Sequence, residues 1–145
     1  MATLDHNSDP TALISPLKDL SDADRDLIKE IERFIRAGVP IRENMAECNN
    51  YVTANLSLQQ RVNTFKSNLE HTCNRRRIQL MTAETEERKS LMYDGFKSGQ
   101  ERDVMVCKNP VVRDLRLIVD WLTVLQRHVD SLEWMLKSAL KSVTG

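Results

Sequence analysis

Residues 111 to 138, "VVRDLRLIVDWLTVLQRHVDSLEWMLKS", place an apolar side chain at every third or fourth position. Val111, Leu115, Ile118, Leu122, Leu125, Val129, Leu132 and Leu136, extended by Ala139 and Val143, alternate steps of four and three without a miss. Only an α-helix gathers that spacing onto one side, and the strict heptad is the pattern of helices that pack along their length. Val112, Val119 and Leu140 broaden the seam on one edge, Trp121 and Met135 on the other. A stripe this wide meets neighbours on two sides, as helices in bundles and rings do. The expectation is an all-α protein whose last helix is an oligomerisation element, in a helical bundle or a ring of copies. The competing reading is an ordinary amphipathic helix closing the chain's own core.

Just before this helix, Asn109 and Pro110 form a start signal, a capping side chain followed by proline in the first turn. Gln100 to Cys107 fits either a short helix or an extended linker, and the glycines of Asp94-Gly95-Phe96-Lys97-Ser98-Gly99 mark a loop. The 54 residues between Pro40 and Gly95 contain neither glycine nor proline. Their apolar rhythm (Ile41, Met45, Cys48, Val52, then Val62, Phe65, Leu69, Cys73) falters around Asn55 and Ser57, where a break would turn a rod into a hairpin. Unbroken, the segment would run about 80 Å and would need support along its length. Earlier still, Ser21 caps a helix with Asp22, Asp24 and Asp26 in its first turn, an apolar stripe through Leu27, Ile28, Ile31, Phe34 and Ile35, and an end at Gly38 and Pro40. Residues 1–20 read as a flexible arm, 21–99 as a helical region and 100–145 as linker plus terminal helix.

Bulk composition supports one domain of this class. The chain has 145 residues, 41% apolar but only 5% aromatic, with four glycines and four prolines. Three cysteines, Cys48, Cys73 and Cys107, lack CxxC or close histidine spacing, so no disulfide framework or zinc site is indicated. No apolar run approaches the ~20 residues of a membrane span. No phosphate loop, nucleophile elbow, HExxH or paired-carboxylate motif is present, so neither an enzyme nor a cofactor or metal site is expected.

Charge is balanced in total, with 21 basic and 21 acidic residues, but unevenly laid out. Residues 1–48 carry ten acids against six bases, whereas 51–83 carry five bases (Arg61, Lys66, Arg75, Arg76, Arg77) against Glu70 alone. On a helix, Lys66, Arg77 and Arg88 are eleven steps apart and form one slowly winding row, widened by Arg61, Arg75, Arg76 and Lys89. Such a row attracts phosphates without reading sequence. Tyr51, Phe65, Tyr93 and Phe96 are near enough in sequence to offer stacking faces for unpaired bases, although Phe65 reads more readily as a core residue. On charge alone, a solvated helical face accounts for Arg75 to Arg77 equally well.

Over roughly residues 57–143 the layout resembles the phage recombination mediators of the UvsY type. A basic helix runs through "NRRRIQLMTAETEERKSLMYDG", a glycine-containing loop and a short polar stretch follow, and the long apolar helix closes the chain. The resemblance implies a recombinase loader: a homo-oligomer that binds single-stranded DNA and helps a RecA-like recombinase displace single-strand-binding protein. The family's basic motif, two cations shortly before a leucine and a tyrosine, falls on Arg88, Lys89, Leu91 and Tyr93. The cations are adjacent here, where the family separates them by one residue. Arg88 and Lys89 are the DNA contacts so implied. The unpaired cysteine pattern and the lack of a signal or membrane segment lead to the expectation of a cytoplasmic location, the host's cytoplasm for a phage-encoded chain. The reading from a different class is a non-enzymatic helical adaptor, scaffold or inhibitor that docks on another protein through the acidic first third.

Overall fold

The computed structural model describes residues 20–96 and 98–145; of the arm expected over 1–20, only Leu20 falls among them, buried in the core. The fold is all-α, with four helices and no strand among the described residues: α1 (Asp22–Arg36), α2 (Met45–Tyr93), α3 (Gly99–Lys108) and α4 (Pro110–Thr144).

Each helix starts where its capping chemistry lies. At α1 the Ser21 hydroxyl accepts from the Asp24 N–H while the Asp24 carboxylate accepts from the Ser21 N–H, a reciprocal capping box. At α4 the Asn109 side chain accepts from the N–H groups of both Val111 and Val112, with Pro110 in the first turn. Gly95 follows α2 at φ 95°, a left-handed turn that only glycine adopts without strain. The stretch from Gln100 to Cys107 is helix rather than linker, started by the Ser98 hydroxyl on the Glu101 N–H.

Helix α2 has 49 residues and spans about 73 Å without interruption. No break occurs at Asn55. Its side chain is fully buried, donates to the Leu136 carbonyl at 2.9 Å and accepts from Gln59 at 2.7 Å. The gap in the apolar rhythm is therefore a polar crosslink inside the packing, not a kink.

The support that so long a helix needs comes from α4, which runs back along it. Asn55 meets Leu136, Lys66 meets Asp130, Glu84 meets Arg116 and Glu87 meets Asn109, so the two helices are antiparallel over most of their length. Helix α1 lies on one flank of this pair. Glu30 binds Arg61 at 2.9 Å, the Phe34 and Tyr51 rings stack 4.7 Å apart, and Glu32 meets His128 at 3.3 Å. The hydrogen bond from Arg61 pulls Glu30 below the usual carboxylate range, so this tether helps above pH 4.5 and fades as acid titrates it.

Two apolar clusters result. The larger joins α1, α2 and α4 through Leu27, Ile28, Ile31, Leu58, Val62, Phe65, Leu69, Cys73 and the middle of α4. The smaller sits under α3 and contains Leu91, Val106 and Val112, with Leu80, Ala83, Phe96 and Met105 against it. Between them only α2 and α4 pass, since α1 and α3 make no contact among the described residues.

The seam of α4 lies inside this architecture. Leu122, Leu125, Val129, Leu132 and Leu136 are all buried within the single chain, Leu115 and Ile118 are half-buried, and Val111 is exposed at the helix start. This corrects the expectation of an intermolecular seam for the five buried residues. The two neighbours demanded by the stripe's width exist, but they are α1 and α2 of the same chain.

Candidate nucleic-acid interface

Leu69 and the other core residues fix which side of α2 faces inward, and 100° steps place every other side chain relative to it. Ile78, nine positions on, points directly away from the core, and Lys89 lies within about 20° of that outward direction. Tyr93 is one turn beyond Lys89. Its separation of 18 residues from Arg75 is five whole turns, so these two share one line about 27 Å long.

The predicted row of Lys66, Arg77 and Arg88 does wind along one flank of α2, but carboxylates meet it at both ends. The Lys66 ammonium sits 2.9 Å from Asp130 and 3.2 Å from Glu133, bridging to α4. The Asp130 hydrogen bond holds it above the usual lysine range. Arg88 is 3.4 Å from Asp103 of α3 and 3.8 Å from Glu84. Both cations are structural crosslinks with their charge locally cancelled, which weakens their case as phosphate contacts. Replacing Lys66 by Ala is expected to cost no more than about 1 kcal/mol in a urea melt, because the bridge is partly exposed, and to leave oligonucleotide affinity unchanged.

The arginine triplet fans out as neighbouring helical residues must. Arg77 is exposed and reaches Asn74 at 3.5 Å, Arg75 is exposed on the opposite flank, and Arg76 turns toward α4, half-buried and bonded to Gln79 at 3.0 Å. The three therefore do not form one patch. They ring α2 at the level where no third helix covers the pair.

Of the rings named from sequence, Phe65 is core, Tyr51 is stacked on Phe34, and Phe96 is half-buried beneath α3. Tyr93 is different: 92% of it is exposed. Lys89 beside it is exposed and has neither a hydrogen-bond nor an ion-pair partner among the described residues. Ile78, Met81 and Met92 leave apolar surface on the same outward side, each 60–65% exposed.

No family model matches this chain, and no curated protein or solved structure matches it.

The remaining chemistry is sparse. No group of three or more His, Cys, Asp or Glu residues able to hold a metal exists among the described residues, and no described helix is long and apolar enough to cross a membrane. Burial pushes the Cys73 thiol up, which disfavours its thiolate. The arrangement offers binding through cations and a ring on a rigid helical rod. Sequence reasoning misses Asp130 beside Lys66 and Asp103 beside Arg88, since nothing in the spacing tells that they fold back onto these cations.

Proposed function

We propose that this protein is a single-stranded DNA-binding recombination mediator that helps load a RecA-like recombinase onto DNA coated by single-strand-binding protein. The observation that carries the reading is the pair formed by Lys89 and Tyr93 on the outer face of α2, an unpartnered cation one turn from a ring that is 92% exposed. A base needs an open aromatic face and a phosphate needs a cation that no carboxylate already holds. Both are also positions of the basic motif in the mediator family that the sequence resembles. Arg75 lies on the line of Tyr93, whereas Arg77 stands on the opposite flank and is not part of this face.

The role of Arg88 in this reading is to position Lys89 through its crosslink to α3, and Lys66 holds the hairpin. Assembly of copies, part of the same proposal, falls on the outward Ile78, Met81 and Met92. Those three side chains equally favour a second reading, an adaptor that docks another protein there.

Labelled oligo(dT) anisotropy at two salt concentrations tests the proposal. Binding should weaken steeply with salt, and Lys89→Ala with Tyr93→Ala should lower affinity by about tenfold or more while helicity and melting temperature hold. Wild-type protein that ignores single strands at low salt would favour the adaptor.

A further inference from the structure

The outer face of α4 carries a second cation–aromatic row. Arg127, Trp134 and Lys141 are spaced by seven residues and so stack along one line, each within about 20° of the next. Each also lies nine positions, half a turn, from a buried leucine: Arg127 opposite Leu136, Trp134 opposite Leu125, Lys141 opposite Leu132. The packing that buries those leucines forces the row outward. Trp134 is 68% exposed, among the largest apolar surfaces of the chain. Arg127 and Lys141 are exposed and have no ion-pair partner among the described residues. Of the carboxylates around the row, Asp130 and Glu133 are turned to Lys66 and Lys137, and Glu70 of α2 lines the same cleft as Arg127 with no ion pair to it among the described residues. One heptad before Arg127 the position is Asp120, which repels phosphate and sets the row's limit.

From this placement we infer a second single-stranded nucleic-acid contact on α4, with Trp134 stacking a base and Arg127 and Lys141 holding phosphates on either side. The row measures about 21 Å between its cations, room for three or four nucleotides of extended strand. Its chemistry suits that ligand better than a membrane or a protein. Interfacial helices present a broad apolar face, whereas Trp134 stands between Ser131 and Ser138. Protein-binding tryptophans sit within a desolvated apolar surround, which cations and serines do not supply. The inference rests on the reading of the protein as a single-strand binder and adds a contact to it.

Trp121 is only 8% exposed, so a change of tryptophan emission on ligand addition reports Trp134. Titration of the full chain with a 20-nucleotide oligo(dT) should quench that emission. Trp134→Ala should weaken binding about five- to hundredfold, Trp134→Phe much less, and Arg127→Ala with Lys141→Ala should lower the salt slope by about 1.4. Unchanged melting temperatures show that the variants fold; the cation pair and the Phe variant serve if Trp134→Ala does not. Should oligo(dT) bind through Lys89 and Tyr93 while Trp134→Ala binds as wild type and emission stays constant, the α4 contact is overturned and the α2 reading stands. Quenching by phosphatidylserine vesicles but not by oligo(dT) would also overturn it. No binding by the wild type at low salt removes both.

Discussion

Leu122→Ala is expected to destabilise the protein by about 2–5 kcal/mol, a loss relative to wild type that is the same at low and high protein concentration. Leu122 is fully buried against α1 and α2 in the larger cluster, so truncation removes apolar contact and leaves a void that long helices close poorly. The concentration term is what gives the measurement its force. Were the α4 seam an interface between copies, the same substitution would shift the association equilibrium, and the melt would move with dilution. Thermal melts followed by circular dichroism at two concentrations a hundredfold apart separate the cases. A loss that disappears at high concentration would overturn the intrachain assignment of the seam.

Asn55→Asp is expected to be at least as damaging at neutral pH, about 3–5 kcal/mol, because it buries a charge with no cation to meet it. The amide nitrogen that now donates to the Leu136 carbonyl would become an oxygen facing an oxygen at 2.9 Å. Burial raises the carboxyl's folded-state pKa above its unfolded value, so the folded form binds the extra proton more tightly. The deficit relative to wild type should accordingly shrink as pH falls from 7 toward 4, when a neutral carboxyl can donate to the carbonyl again. Asn55→Leu is the control: it removes the polar pair without adding charge and should cost far less. A deficit that is flat with pH would mean that water reaches the side chain at position 55.

Much of the fold is legible in the chain because helix periodicity and capping are local. Ser21 with Asp24, and Asn109 with Pro110, announce their helices within four residues, and the structure starts α1 and α4 there. What the chain does not announce is pairing. The unbroken α2 looked too long to stand alone, and the apolar seam of α4 looked like an invitation to other copies. These are two halves of one fact, since each supplies what the other lacks, and the reversal of the chain between α2 and α4, which includes α3, lets them meet. Asn55 misled for a related reason: a polar residue in an apolar rhythm reads as a break when its partner is 81 positions away.

The candidate site was legible in part and for the same cause. Lys89 and Tyr93 were found by charge and motif, and stay open because nothing distant folds onto them. Lys66 and Arg88 look identical to Lys89 in sequence, yet carboxylates from α4 and α3 close over them. Trp134 draws no attention in the sequence, and its outward direction follows only once Leu125 is known to point inward.

Helices α2 and α4 lie back to back, so their outer faces look in opposite directions across a body about 20 Å thick. The register of the pair sets Trp134 level with about residue 60 of α2, so a polymer touching it and Tyr93 must cross from one face to the other over about 45–50 Å of the rod. Duplex DNA, which stays straight over some 50 nm, resists that crossing. A lone strand, jointed at every nucleotide, does not. With both proposed contacts on one strand, the body of the hairpin favours a bendable nucleic acid over a stiff one.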